Sequence, residues 1–327
     1  MKIKKIDGFG SYGSFIEDVD LQHISDEEFK VIREDHGKNL LTIIRVDNKI
    51  DYKQYYDLIL KFGESKYNFF DSIINSKLSQ NEIFEIGKIS QNFLVDEDCE
   101  TLQRVTAIKD EKGNALGVFG DGELLWHSNG AGDVAFMPGV ALMGHQSMQN
   151  TATSFVQTAD YFENISESLK SELMEMVVVH NYQDSKINPE PVREQELIYK
   201  LGMCVQNDSK IPLVIKSPSG IIGLHLGINT FDYIEGMKKE ESDRLIESIR
   251  NEIFTEKYIY DYWWENDHNI LIFDNSITLH RRILQSNSCG DRIGYRIPFG
   301  YQNLYGNYRP YFNEYFNKLR DKFYTSA

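Results

Sequence analysis

Apolar positions in this chain recur at two different periods, and the switch between them divides it. Near the start, Ile24-Ser25-Asp26-Glu27-Glu28-Phe29 carries a helix-initiation pattern: Ser25 can accept from the first turn and Glu28 can reach back, while Phe29 and Ile32 begin a helical face. Leu40 to Val46 is a β-branched run bounded by polar turns and predicts a buried strand. Tyr55, Ile59 and Phe62 share one side of a helix predicted over Tyr52 to Phe62. From Val105 to Val140 the pattern shortens into strands with glycine punctuation, including turns at Asp110 to Asn114 and Gly120-Asp121-Gly122. Ser166 to His180, with Leu169, Leu173 and Met176 at helical spacing, predicts an amphipathic helix. The polar stretch Asn181 to Asp208 predicts a short helix near Glu194 to Leu201. Further strands are expected at Leu213 to Lys216, Gly223 to Leu226, Asn269 to Phe273 and Asp291 to Phe299, with a helix over Glu240 to Phe254.

Helices gathered early and inserted between strands, without regular alternation, argue for an α+β protein on an antiparallel sheet sandwich. A nucleotide-binding βαβ fold is disfavoured, because no GxGxxG or GxxxxGK[ST] loop occurs. No repeat or low-complexity linker interrupts the chain, so residues 1–327 are expected to form one domain. With 41% hydrophobic and 13% aromatic residues, a sizeable core is available to it. A formal charge of −15 repels phosphate backbones and anionic membranes, so neither nucleic acid nor a membrane surface is an expected partner. Cys99, Cys204 and Cys289 are scattered without a CxxC pair, which suggests a reducing, cytoplasmic setting. No signal core or run of roughly 20 apolar residues is present.

Chemistry concentrates at Trp126-His127-Ser128-Asn129 and, far downstream, at Leu279-His280-Arg281. Two neutral imidazoles and one carboxylate on one face hold mononuclear iron(II) while leaving positions open for a chelating cosubstrate and dioxygen. His127 and His280 are the candidate pair, but Asn129 stands where the carboxylate is wanted. A cosubstrate with a distal carboxylate also needs a fixed guanidinium. Arg292 and Arg296 are expected on one strand face with Gly294 between them, one of them pointing into the pocket beside His280.

These residues resemble the taurine/alpha-ketoglutarate dioxygenase superfamily. The resemblance runs through Asp18-Val19-Asp20-Leu21, Lys61-Phe62-Gly63-Glu64, Gly117 to Leu124 leading into Trp126-His127-Ser128-Asn129, and Asp274-Asn275 ahead of His280. It implies a double-stranded β-helix (jelly roll) core with flanking and inserted helices, the core spanning about residues 101–300 and an N-terminal region, about 1–100, packing on it. It implies an enzyme that uses Fe(II), 2-oxoglutarate and O2 to hydroxylate or otherwise oxidise a small polar metabolite. His127 and His280 then become iron ligands and Arg292 the partner of the distal carboxylate of 2-oxoglutarate. Thr153 matches a threonine bonding the same carboxylate, with Thr151 close enough to leave the register open, and Arg296 matches a second arginine that meets the substrate in some members.

Asn129 is the departure from the pattern, and four readings stand. Its amide oxygen ligates more weakly than a carboxylate would; the position is vacated for chloride, as in related halogenases; Asp133 swings in across Gly130 and Gly132; or the site is impaired, leaving a non-catalytic protein that binds 2-oxoglutarate or a metabolite. His145, His180, His225 and His268 show no ligand spacing and are expected to have no metal role. Arg281 and Arg282 are expected to balance the acidic surface, and Trp263-Trp264 to pack a sheet edge. The tyrosine-rich tail, Tyr301 through Tyr324, reads as a docking segment that a homo-oligomer could use.

Overall fold

The computed structural model describes residues 1–46, 48–65, 78–96, 98–99, 101–132, 136–181 and 208–300. Its larger sheet has seven strands: β1 (Lys2–Lys5), β2 (Ser14–Glu17), β3 (Leu41–Ile44), β14 (Ile270–Asp274), β6 (Gly139–Gln146), β16 (Ile293–Phe299) and β4 (Gln103–Thr106), in that spatial order. Facing it is a four-stranded sheet ordered β13 (Ile259–Trp263), β7 (Thr151–Gln157), β15 (Thr278–Leu284) and β5 (Leu124–His127). All pairings are antiparallel except that of β2 with β3. Two smaller sheets flank this sandwich. One is β12 (Phe231–Ile234), β8 (Val177–His180) and β9 (Ser209–Pro212); the other is β10 (Val214–Lys216) with β11 (Ile222–Leu224). Helices surround and interrupt the strands, and the whole is the mixed α+β jelly roll.

The sandwich explains the sequence pattern strand by strand. On β14, Ile270 and Ile272 join a core against the helices, while Leu271 and Phe273 face the other sheet. Burial on both faces is why this strand reads as a continuous apolar run. The outer face of the larger sheet is covered by α1 (Asp26–His36) and α2 (Tyr52–Leu60), which contribute Phe29, Ile32, Tyr55 and Ile59. Both carry full capping boxes, Ser25 with Glu28 and Asp51 with Gln54. Three further helices are α3 (Gln80–Phe93), α4 (Ala159–Asn164) and α5 (Glu167–Met174), and α6 (Lys239–Ile253) packs Ile246, Ile249 and Ile253 into the core behind the smaller sheet. Between the sheets, Phe155 meets Phe273 with ring centres 5.0 Å apart.

One predicted element changes type. The helix begun at Ser166 stops at Met174, and Val177–His180 is the central strand of the three-stranded sheet. Val177-Val178-Val179 decides this, because three β-branched residues in succession lose rotamer freedom in a helix and suit a pleated surface. The helix expected at 194–201 and the tail beyond residue 300 lie outside the described residues. Among those described, no helix is long and apolar enough to cross a membrane.

Candidate active site

Strand register alone brings the two histidines together. β15 pairs with β5 so that His280 stands directly opposite His127, and facing residues of adjacent strands lie within side-chain reach. The ring centres are 4.2 Å apart, inclined by 47°. Leu279 packs into the core behind the smaller sheet, so by strand alternation His280, Thr278 and Arg282 turn inward to the space between the sheets. Phe273 and Phe119 flank the pair, at 4.8 Å from the His280 ring and 6.0 Å from that of His127.

Both imidazoles are neutral near pH 7. Burial brings the His127 pKa down to about 4, with Arg296 and Arg282 adding to the effect; burial, then His127 and Arg296, hold His280 well below its usual value. His127 donates Nδ1–H to the Leu125 carbonyl at 2.7 Å, which leaves its Nε2 lone pair available. The third expected member also arrives: the Asn129 amide nitrogen is 3.1 Å from His280 Nε2. A half-turn of the amide exchanges its nitrogen and oxygen at this position. Two donors at right angles on one cation, each about 2.1 Å from it, stand about 3 Å apart, so amide and imidazole are spaced as neighbouring ligands would be. Among the described residues no three His, Cys, Asp or Glu side chains converge. The set is two imidazoles and an amide, and Asp133 lies outside the described residues.

Two asparagines to which sequence assigned no role hold this loop. Asn275, fully buried, accepts from the Asn129 backbone N–H at 2.9 Å and from the Ser128 hydroxyl at 3.1 Å. It donates to the carbonyls of Asn129 at 2.8 Å and Met137 at 3.1 Å. Asn229 accepts from Ser128 N–H at 3.2 Å and donates to its carbonyl at 3.3 Å. Sequence offered Asp274-Asn275 ahead of His280, and set Asn229 between strands that could border the pocket without fixing it there.

The arginines divide their work. Arg292 lies one residue before β16 and Arg296 within it. Arg296 is the cation felt at both histidines; it stacks over Phe119 at 5.8 Å and donates to Gln103 at 2.5 Å. Arg292 is 5% exposed, and its Nε and Nη2 have no acceptor among the described residues. Those two nitrogens form one edge of the guanidinium, the fork that takes a carboxylate bidentately. Burial lowers its pKa, opposed by neighbouring Cys289 and Asp121. Thr153 faces Arg282 across β7 and β15, and its hydroxyl accepts from Trp264 Nε1 at 3.1 Å. Thr151 bonds the Met148 carbonyl.

Arg282 corrects an expectation. It is 4% exposed and no surface ion pair: its guanidinium donates to the carbonyls of Phe119, Gly120 and Gly122 at 2.7–2.9 Å. Burial and then Arg292 lower its pKa to about 9, which still leaves it charged at neutral pH. Its position alternating with His280 on an inward face was the available signal. Arg281, on the other face, lies over the Trp126 ring at 4.5 Å. Trp264 is buried, whereas Trp263 is exposed on the outermost strand β13.

With this geometry in view, the comparisons are specific. The family model for the taurine catabolism dioxygenase TauD, TfdA family matches residues 91–297, which include every candidate site residue above. The chain belongs to this family. It is therefore a dioxygenase of the TauD/TfdA kind, and members of the family use Fe(II) and 2-oxoglutarate. Among solved structures, a taurine dioxygenase from Burkholderia xenovorans superposes with a TM-score of 0.60 at 16% identity, over 90% of this chain and 88% of that one. AAD-2 in complex with Mn(II) and N-oxalylglycine gives 0.60 at 15% identity, over 90% and 95%. No curated protein matches by sequence.

The residues present fit the family's cosubstrate and metal: two neutral imidazoles have ring centres 4.2 Å apart with an amide 3.1 Å from one of them, and Arg292 offers an open bidentate edge in a buried position.

Proposed function

We propose that the protein oxidises, most simply by hydroxylation, a small polar metabolite, holding Fe(II) through His127, His280 and the Asn129 amide and 2-oxoglutarate through Arg292 and Thr153. The observation that carries this reading is the pair of buried, neutral imidazoles facing each other across β5 and β15. The cosubstrate and O2, once bound, supply the oxidising power. The chain's own contribution is positional. Leu125 fixes the His127 tautomer, Asn275 and Asn229 fix the loop that carries Asn129, and Phe119 and Phe273 exclude water from the imidazoles. Arg296, whose charge reaches both histidines, serves an anionic group on the substrate. Residues 1–327 act as one domain, supported by β1 to β3 completing the larger sheet.

Asn129 favours a second reading in which the same pocket binds 2-oxoglutarate without turnover, since a neutral oxygen donor leaves the metal more weakly held than a carboxylate would. A halogenating variant is tested by chloride dependence and product mass. Anaerobic addition of Fe(II) and 2-oxoglutarate separates the first two readings. The catalytic reading expects the visible charge-transfer band of the chelate in the wild type and its loss in His127→Ala; no band at saturating iron overturns it. Asn129→Asp then reports on the amide: tighter iron and faster turnover mark an impaired site, whereas lost product with unchanged iron marks an adapted one.

A further inference from the structure

An arginine that grips a carboxylate with two bonds has to be held before the carboxylate arrives, because its long side chain is otherwise free to turn. The tie on Arg292 lies in two turns that the sequence places far apart. One is Phe119 to Gly122, where Arg282 grips the carbonyls of Phe119, Gly120 and Gly122. The other is Ser286 to Gly290, closed by the Ser286 hydroxyl on the Ser288 carbonyl at 2.9 Å and by the Gly290 N–H on the Ser288 hydroxyl at 3.1 Å. Arg292 follows directly after it.

A single carboxylate joins the two turns. Asp121 Oδ1 accepts from the Cys289 N–H at 2.5 Å and from the Gly122 N–H at 2.9 Å, while its Oδ2 accepts from the Ser288 hydroxyl at 2.7 Å. The Cys289 thiol adds a contact to the Gly122 carbonyl at 3.7 Å, and this buried side chain neighbours the Arg292 guanidinium. On the far side of the knot the Arg292 carbonyl accepts from the Thr106 hydroxyl at 2.7 Å. Residues 289–292 are thus tied at both ends, to the 119–122 turn by Asp121 and to β4 by Thr106. The 119–122 turn is itself held firmly. Phe119, which flanks His127, has a left-handed backbone at φ 57°, a conformation that a bulky residue keeps only where its surroundings impose it. Water reaches the outer side of Asp121 and screens its charge, so the bonds it accepts carry its effect.

We propose that Asp121 is the positioning residue of the cosubstrate site: by knotting the Ser288-Cys289 turn to the 119–122 turn, it holds the Arg292 fork in the orientation that meets a carboxylate. This rests on the reading in which Arg292 receives the distal carboxylate of 2-oxoglutarate. Sequence showed Asp121 only as the middle of a turn, because its partners stand on the far side of β15 in chain order.

The test is calorimetric titration of the Fe(II)-loaded full chain, without oxygen, by 2-oxoglutarate and by oxalate. Both chelate a metal, but only 2-oxoglutarate carries a distal carboxylate, so the ratio of their affinities reports the fork and cancels general loosening of the fold. Asp121→Ala loses all three bonds, whereas Asp121→Asn keeps an oxygen for the Cys289 and Gly122 N–H groups. Preference for 2-oxoglutarate should fall about tenfold in Asp121→Ala, as for one charge-assisted hydrogen bond lost, and stay within about threefold of wild type in Asp121→Asn. It should fall in Arg292→Lys as well, and Asp121→Ala added to that variant should lower it no further. Wild-type preference in Asp121→Ala, together with a lowered one in Arg292→Lys, overturns the proposal alone. Wild-type preference in Arg292→Lys overturns the cosubstrate reading, and the proposal with it. If Asp121→Ala does not fold, hydrogen exchange on the wild type decides: 2-oxoglutarate should slow exchange across residues 288–292 more than oxalate does, and equal protection by the two overturns the proposal.

Discussion

Replacing Asn275 by alanine isolates what the loop clamp contributes. The side chain is fully buried and makes four hydrogen bonds; its loss strands the Asn129 N–H and the carbonyls of Asn129 and Met137. The Ser128 hydroxyl is spared, because it also donates to the Asn275 backbone carbonyl at 2.7 Å. An unsatisfied buried polar group costs about 1–3 kcal/mol. The Asn129 groups are only partly buried and water can reach them, so the total should be about 3 kcal/mol in place of the simple sum. Denaturant unfolding of the metal-free protein measures this directly. Iron affinity should fall separately, by roughly 10- to 100-fold, as for other outer residues that orient a metal ligand. Asn275→Asp is the informative companion. It keeps the acceptor for Asn129 N–H but sets a carboxylate against two carbonyl oxygens, and should bind iron no better than the alanine variant. Stability within 0.5 kcal/mol of wild type, together with unchanged iron affinity in Asn275→Ala, would refute the claim that Asn275 positions the loop.

Arg292→Lys should weaken 2-oxoglutarate binding by at least roughly tenfold in a calorimetric titration, because the point charge survives and the bidentate edge does not; equal affinity would remove Arg292 from the cosubstrate site. Arg282→Met should destabilise the fold by about 3 kcal/mol, since three carbonyls lose their donor, and a melting temperature unchanged by the substitution would count against that role. Acid sensitivity follows from the buried histidines. Burial lowers His36 to about 3 and His127 and His225 to about 4, so the unfolded chain binds their protons first and each costs up to about 1.4 kcal/mol per pH unit as pH falls below 6.5. Buried Asp274, raised to about 7, acts oppositely, its destabilising effect fading as pH falls toward 4. Three histidines outweigh one aspartate, so the metal-free protein should lose stability steadily from pH 6.5 to 4.5. A flat melting temperature across that window would contradict the burial assigned to these rings.

Much of this architecture was written in local pattern. The capping boxes of α1 and α2 follow from side chains within one turn of each other, so Ser25 and Glu28 could be paired on sight. Strand β14 was legible because burial on both faces demands an unbroken apolar run. The histidines could be named from residue type and setting, but the 4.2 Å between them depends on register across β5 and β15. Arg282 was read as a surface charge because an arginine beside another arginine resembles solvated sequence; only the sandwich shows that its alternation with His280 turns it inward. Asn229 reaches Ser128 through the docking of β12 and its preceding turn, a contact no local pattern encodes. The misread 177–180 segment shows tertiary pairing and β-branched residues overruling a helical apolar spacing.

Pairing along β15 is uneven. Against β7 it runs without interruption from Thr278 to Leu284, whereas against β5 the register shifts between His280 and Arg282. One neighbour therefore anchors the downstream histidine, and the other meets it across a seam with one residue of slack. The slack lies on the side that supplies His127, where the carbonyls of Phe119, Gly120 and Gly122 must also keep their hold on Arg282. For anyone grafting a new entrance onto this scaffold, β7 is the strand to leave untouched, and the length of residues 119–122 is fixed with it.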